Sequence, residues 1–263
     1  MNQLSSKRDE CFIVVKARPH RSSNYFETVC CAGIGRDGKW RRQYPVPFRI
    51  LADDQKFGRW SWISYEFTKS KNDRRTESQK VIPESLMVGD KVNKGERTNL
   101  LNSLVRESFA EADNKGESLT LLRPVDLELR GTKKSVSEVD AERQKHIELS
   151  RQMSFLDTTA RPLEPCPMRF RLHWKDSSGK RRDHDCDDWE TSAAYSRFES
   201  AHGSEEALRI LKEKYEEQYF KAGLALAFST HSLRNATTGT KNQWLLVGMI
   251  RLDFFQQRDL LVG

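Results

Sequence analysis

The sequence predicts an α+β protein with an N-terminal small antiparallel β-barrel of OB-like type and a C-terminal α/β module with an antiparallel sheet. Short β-branched and aromatic runs separated by turn residues dominate the first half, which is typical of a small barrel. Helical patterns and apolar strands follow, after a proline-rich segment at 158–167. We therefore expect a barrel-like domain at 1–130, a helical linker at 131–165 and an α/β domain at 166–263.

Alternating and β-branched segments define the predicted barrel strands. CFIVVKAR at 11–18, VCCAGIG at 29–35, WRRQYPV at 40–46 and RWSWISYEF at 59–67 read as strands. Asp37-Gly38, between the second and third, is a strong hairpin signal. A further strand is expected at Val88 to Val92. An amphipathic helix is predicted over 96–112, and strands broken at Pro124 follow in SLTLLRPVDLELR.

The C-terminal part alternates helices with strands. A helix is expected from about Val139 to Phe155 in the linker, and a strand at Met168 to Trp174 turns through KDSSGK into RRDHDCDDW. Two helices should follow at 190–200 and 204–221, the second with Ser204 as its N-cap. LALAFST and WLLVGMIRL then predict a central antiparallel pair of strands.

Composition favours a cytoplasmic location. Hydrophobic residues make up 37% of the chain and charged residues 32%, and the longest apolar runs are too short to cross a bilayer. The first ten residues lack the apolar region of a secretory signal. The five cysteines form no CxxC pair, which fits free thiols in a reducing compartment. We expect no contact with a membrane.

The positive charge is concentrated in the first third of the chain. The net charge is +7, but residues 1–80 contain 17 Lys and Arg against 9 Asp and Glu. The other 183 residues are therefore close to neutral. Concentrated positive charge is typical of a surface that binds a phosphate backbone, although an ordinary solvated basic face has the same composition.

Arginines and aromatic residues alternate around the predicted hairpin, and this pattern favours nucleic acid over other polyanions. Arginine binds phosphate through paired N–H groups, and aromatic rings stack on bases. The candidate nucleic-acid-binding residues are Arg36, Lys39, Trp40, Arg41, Arg42, Tyr44, Arg49, Trp62, Arg74 and Arg75. The alternative is that the tryptophans fill a core and the arginines surround it.

An acidic segment at 183–190, DHDCDDWE, is the second candidate site. Carboxylates on one strand face could hold Mg²⁺ for phosphodiester hydrolysis, and the candidate catalytic residues are Asp185, Asp187, Asp188 and Glu190. His184 and Cys186 are weaker candidates as zinc ligands. Neither set is complete, and the alternative is a helix N-terminus capped by Asp187 or Asp188. No cofactor is predicted apart from Mg²⁺ in the case of a nuclease.

Several motifs resemble a family of uncharacterised bacterial proteins. They are, in order, ETVCCAGI, GKWRRQYPVPFR, DRRTES, SLTLLRP, PMRFRLHW, DDWE and QWLLVGMIR. The piece from Ala32 to Trp40 is also similar to OB-containing domains of bacterial conflict systems. The resemblance implies an association with phage-defence loci and names no activity.

These observations predict a DNA-binding protein of a bacterial antiviral defence system, with DNA or RNA as its partner. Two alternatives remain at the level of sequence. One is a DNA-processing enzyme, either a metal-dependent nuclease or a glycosylase that extrudes a modified base. The other is an interaction subunit whose basic face meets a protein partner in a defence complex.

Overall fold

The computed structural model describes residues 6–21, 27–70, 73, 75–154, 163–230 and 244–254. The chain forms thirteen described strands, which are β1 (Lys7–Lys16), β2 (His20–Arg21), β3 (Glu27–Gly35), β4 (Trp40–Val46), β5 (Ser61–Thr68), β6 (Ser78–Lys91), β7 (Val105–Arg106), β8 (Leu119–Leu122), β9 (Asp126–Lys133), β10 (Met168–Lys175), β11 (Arg181–Asp185), β12 (Leu224–Thr230) and β13 (Trp244–Arg251). The α-helices are α1 (Lys94–Ser103), α2 (Phe109–Asn114), α3 (Val136–Ser154), α4 (Trp189–His202), α5 (Ser204–Lys212) and α6 (Phe220–Ala222), and a π-helical stretch, Glu213–Tyr219, joins the last two.

Five strands close into an N-terminal barrel. Around the barrel they follow the order β1, β5, β6, β4, β3 and back to β1. All neighbours are antiparallel except β4 and β6, which pair in parallel through Arg42 and Gln43. The interior is filled by alternate side chains of these strands, including Cys11, Ile63 and Tyr65. This small closed barrel confirms the predicted OB-like fold class.

The predicted hairpin joins β3 to β4. Gly38 has a φ of 73°, a left-handed conformation that glycine adopts without steric cost. The Gly35 N–H donates to the Lys39 carbonyl at 3.0 Å and closes the turn. The alternation along β4 buries Trp40 and leaves Arg41 partly exposed, so these neighbours lie on opposite faces as predicted.

The C-terminal part contains two sheets with helices. One sheet has the order β11-β10-β9, and the other has the order β13-β12-β8-β7, with the predicted antiparallel pair β12 and β13. β8 pairs with β12, and β9 pairs with β10. Residues 119–133 therefore belong to the C-terminal sheets, although the sequence assigned most of them to the N-terminal domain. Local patterns identify a strand but not its partner.

Two predicted helices differ from those observed. The helix expected over 96–112 is divided, because α1 ends at Ser103 and β7 intervenes before α2. β7 pairs with β8, so a strand contact replaces the continuous helix there. The helix expected from Ser204 changes to π-helix at Glu213. Its N-cap is Gly203, because Ser204 is already the first helical residue, and the Ser204 hydroxyl lies 2.8 Å from the Tyr195 hydroxyl.

The two parts of the chain share a hydrophobic core. The outer faces of β1, β3 and β4 pack against the β13-β12-β8-β7 sheet. Barrel side chains in this core include Phe12, Ile34 and Trp40, and sheet side chains include Leu121 and Val247. No helix in the described part of the chain combines the length and apolar character needed to cross a membrane.

Candidate nucleic-acid interface

The C-terminal sheet covers the part of the barrel that was predicted to bind bases. Trp40 is only 9% exposed and packs in the shared core, so its ring cannot stack on a base in this arrangement. In an OB-like barrel the second and third strands commonly present the ligand-binding face. Here those strands are β3 and β4, and most of their outward side chains are buried. Trp40 therefore fills the shared core and does not stack on a base as predicted.

Arg42 is also buried, at 3% exposure. Its guanidinium donates to the Ser229 hydroxyl at 2.6 Å, to the Ser118 carbonyl at 2.9 Å and to Glu77 at 3.4 Å. These partners come from both parts of the chain. Arg42 therefore holds the fold together and does not contact a phosphate as predicted. A buried guanidinium needs hydrogen-bond acceptors within the protein, because water cannot reach it.

Three further candidate cations have acidic partners. Arg41 Nε lies 2.6 Å from an Asp9 carboxylate oxygen, and its NH2 lies 3.1 Å from Asp37. Arg75 pairs with Asp73 through two bonds of 2.8 and 2.6 Å, and also donates to the Thr230 carbonyl at 2.6 Å. Arg36 lies 2.8 Å from Glu10. Such pairs hold the guanidinium groups in place and partly neutralise them.

The remaining candidates differ in exposure. Trp62 is half-buried: it packs edge-on against Phe12, and the Arg36 guanidinium lies 3.8 Å from its ring centroid. Tyr44 is 47% exposed, and Lys39 is exposed. Arg49 is half-buried and makes contacts within the protein. Arg74 lies outside the described residues. Of the aromatic candidates, Tyr44 thus presents the most accessible ring.

A cleft of about 440 Å³ lies where the barrel meets the C-terminal sheet. Four cationic side chains line it, namely Lys39, Arg41, Lys69 and Lys115. Lys69 belongs to the segment that connects β5 to β6, which corresponds to one of the two loops that OB-like barrels use for ligands. Lys115 follows α2, from the C-terminal side. Neither lysine was predicted from the sequence. Lys115 precedes β8, which pairs with β12 of the C-terminal sheet.

The acids in this cleft are each paired with an arginine. Asp9 lies 2.6 Å from Arg41, Glu77 lies 3.4 Å from the buried Arg42, and Glu117 lies 2.6 Å from Arg106. These arginines offset the acids of the cleft, and Lys115 Nζ lies 3.2 Å from Glu111, which is outside the cleft. The excess positive charge therefore comes mainly from Lys39 and Lys69. The cleft is therefore suited to an anionic ligand.

Each acidic side chain of the segment at 183–190 forms an ion pair with an arginine or a lysine. Its partner pairs are Asp183 and Asp185 with Arg171, Asp187 with Arg18, Asp188 with Arg59, and Glu190 with Lys16. The burial pattern alternates as predicted for a strand, with His184, Cys186 and Asp188 inside. The carboxylates do not converge, and no group of three metal-ligating side chains was found among the described residues. The segment therefore connects elements of the fold through these ion pairs.

Asp188 is fully buried and joins the two parts of the chain. Its carboxylate accepts hydrogen bonds from Arg59 at 3.1 Å, the Thr191 hydroxyl at 3.0 Å and the Met249 N–H at 3.3 Å. It also accepts from the Glu190 N–H at 3.1 Å, which confirms the predicted N-cap of α4. Burial raises the pKa of this carboxyl, and the Arg59 charge and the hydrogen bonds act against that rise.

The two weak metal-ligand candidates, His184 and Cys186, are both buried. The Trp174 indole N–H donates to His184 Nδ1 at 3.0 Å, and the His184 ring lies against Phe109 and Phe228. Burial raises the pKa of the Cys186 thiol to about 12. A zinc ligand needs a thiolate, so this environment favours a structural thiol.

The fold and the cleft define a two-part protein, an OB-like barrel docked on an α+β module with a basic cleft between them. The chain belongs to a family described as Domain of unknown function (DUF8757), which matches residues 101–260. Residues 7–107 match a second family, Domain of unknown function (DUF8758). The two matches meet near the end of α1, where the barrel gives way to the C-terminal sheets. No curated protein and no solved structure matches the chain.

Proposed function

We propose that this chain is a cytoplasmic DNA-binding protein of a bacterial antiviral defence system and that it binds the DNA backbone in the cleft between barrel and C-terminal sheet. The observation that carries the proposal is the set of exposed lysines, Lys39, Lys69 and Lys115, around a cleft whose acids are paired with arginines. Lysine ammonium groups attract phosphates and release counterions on binding. The association with defence rests on the resemblance of the sequence motifs.

This interface differs from the one expected from sequence. The face of β3 and β4 is covered, so binding moves to the edge of the barrel, where Lys39 follows the hairpin turn and Lys69 follows β5. Arg41 stays in the interface, since it lines the cleft while paired with Asp9 and Asp37. Recognition would then depend mainly on phosphate contacts, which position a nucleic acid without reading its sequence.

The test is a fluorescence anisotropy titration of labelled single- and double-stranded DNA at several salt concentrations. In the triple variant Lys39→Ala, Lys69→Ala, Lys115→Ala we expect weaker binding and a decrease in the salt slope by about 1 for each lysine that contacts a phosphate. A matched control, Lys91→Ala, Lys145→Ala, Lys221→Ala, removes the same charge from exposed positions outside the cleft. The proposal fails if neither DNA binds at low salt, or if both triple variants weaken binding equally.

A further inference from the structure

A second cavity, of about 370 Å³, lies among α3, α4, the segment before β10 and the end of β1. One face of α4 contributes Trp189, Ser192 and Ser196, which are spaced by three and four residues as on one side of a helix. α3 contributes Glu142 and His146 in the same manner. The rest of the wall comes from Arg18, Pro19, Lys134, Leu163, Glu164, Pro165, Cys166, Asp187 and Ala193.

The charged side chains of this wall have partners within the protein. Arg18 lies 3.1 Å from Asp187, and Lys134 Nζ lies 2.7 Å from Glu142. The fifth charged side chain, Glu164, lies 2.5 Å from Arg143. A charged ligand would have to compete with these pairs. The wall is therefore better matched to a neutral molecule.

Two buried polar atoms of the wall have no hydrogen-bond partner among the described residues. They are the Ser192 hydroxyl and His146 Nδ1. Ser192 is only 6% exposed, so solvent does not satisfy its hydroxyl. A buried polar atom without a partner destabilises the folded state, and buried polar atoms in folded proteins nearly always have a partner. A hydroxyl can donate and accept, and a neutral imidazole nitrogen can do either.

We propose that this cavity binds a heterocyclic nucleobase, supplied either by a free nucleoside or by a base extruded from a nucleic-acid strand. A base is neutral and flat, and it carries N–H donors and ring-nitrogen acceptors that match Ser192 and His146. Trp189 and the prolines of the wall supply apolar surface beside these polar groups. The volume lies in the lower part of the range of small-molecule sites, which suits a ligand of this size. A phosphate or carboxylate would find no unpaired cation here among the charged residues described above.

Ser192→Ala tests the site with little risk to the fold, because it removes a hydroxyl that has no partner among the described residues. Adenosine, guanosine, cytidine and thymidine are titrated separately into the full chain by isothermal calorimetry. We expect at least one to bind, and its Kd to rise about tenfold or more in Ser192→Ala, since the variant lacks one buried hydrogen bond to the ligand. The matched control is Ser200→Ala on the exposed side of α4, where the hydroxyl donates to the Ser196 carbonyl. It should leave the Kd unchanged.

A second arm separates the two sources of the base. A short single-stranded oligonucleotide is titrated into the same three proteins. If no free nucleoside binds but Ser192→Ala weakens oligonucleotide binding and Ser200→Ala does not, the base comes from a strand and the proposal holds. If no nucleoside binds up to its solubility limit and Ser192→Ala leaves oligonucleotide affinity unchanged, the proposal is overturned. Nucleoside binding of equal affinity in Ser192→Ala and the unsubstituted chain overturns it as well.

The site stands independently of the proposed DNA-binding cleft. The triple lysine variant should bind a nucleoside as the unsubstituted chain does, because none of its three lysines lines this cavity. The two proposals can therefore fail separately. The cleft is rejected if the lysine variant does not weaken DNA binding, and the cavity is rejected if Ser192→Ala does not weaken base binding. A thermal unfolding midpoint for Ser192→Ala equal to or above that of the unsubstituted chain would confirm that loss of binding is not loss of folding.

Discussion

Two residues that the sequence predicts to act on a ligand have a structural role in the fold. Arg42 and Asp188 both lie in motifs predicted to act on a ligand, and both are buried at the contact between barrel and C-terminal module. Arg42 donates to Ser118 and Ser229, and Asp188 accepts from Arg59 and Met249. A buried charge needs such partners, because hydrogen bonds compensate for its loss of hydration.

Replacing Asp188 by Ala should destabilise the protein strongly. The change leaves Arg59 buried at the contact without its acid, and the loss of one partner from a buried pair costs about 3–5 kcal/mol of unfolding free energy. Urea unfolding followed by circular dichroism measures this. Asp185→Ala, on the exposed side of the same motif at 64% side-chain exposure, should change the unfolding free energy by less than about 0.5 kcal/mol. Equal effects of the two changes would contradict the assigned role of Asp188.

The pair between Asp73 and Arg75 should make stability depend on pH in the acid range. Partial burial acts to raise the pKa of the Asp73 carboxyl, but hydrogen bonds from Arg75 and Ser78 hold that pKa well below its usual value. The folded pKa is thus below the unfolded value of about 3.9, so the stabilisation is complete above about pH 4 and is lost as pH falls towards the folded pKa. Urea titrations from pH 2 to 6 should show Asp73→Asn less stable by about 1–2 kcal/mol at pH 6. This difference should shrink towards pH 2, and a constant difference would refute the assignment.

At the scale of elements, the hairpin between β3 and β4 is the part that sequence predicts best. Asp37-Gly38 sets a turn whose geometry depends on four residues, so no distant contact is needed to specify it. The divided helix α1 and α2 is the opposite case. Leu104, Val105 and Phe109 fit a helical pattern, but pairing of β7 with β8 depends on a strand fourteen residues further on. Periodicity cannot show such a contact.

In the candidate site, too, the sequence predicts the features that depend on neighbouring residues and not those that depend on distant contacts. Lys39 and Arg41 were identified from the hairpin pattern, and both line the cleft. Lys69 and Lys115 carry no local signal that separates them from other exposed lysines. Burial of Trp40 and Arg42 also depends on the C-terminal sheet, whose first strand, β7, begins at Val105. Sequence therefore predicts which residue types are present and which strand face they share, and it does not predict which face another part of the chain covers.

Gly38→Ala should weaken the hairpin without creating a clash. An added Cβ would approach only Leu100 Cδ2, at an ordinary 3.6 Å, so the cost comes from the φ of 73°. A left-handed conformation costs a residue with a side chain about 1–2 kcal/mol. The unfolding free energy should fall by about that amount. Gly58→Ala is the control, because a Cβ added at Gly58 would have no neighbour within 4 Å and Gly58 is not among the glycines with a left-handed φ. If Gly58→Ala destabilises as much as Gly38→Ala, backbone conformation is not the cause.

At the scale of the whole molecule, the barrel and the C-terminal module are matched by two different families but share one core. Phe12, Ile34 and Trp40 of the barrel lie in the same cluster as Leu121 and Val247 of the sheet. If either part unfolded alone, the other would expose this apolar surface to water, at about 25 cal/mol per Å². The contact also includes Arg42 and Asp188, whose charges would lose their partners.

Unfolding should therefore be a single cooperative transition of both parts. Hydrogen–deuterium exchange with mass spectrometry at increasing urea concentration can follow peptides from β5 in the barrel and from β12 in the C-terminal sheet separately. We expect the same midpoint for both, and Arg42→Ala should lower the two midpoints together, because it removes a guanidinium bonded to both parts. Arg36→Ala, at an exposed position of the barrel, should shift neither appreciably. Separate midpoints in the unsubstituted chain, or an effect of Arg42→Ala on β5 alone, would show that the two parts are energetically independent and that the cleft between them is not held in a fixed shape.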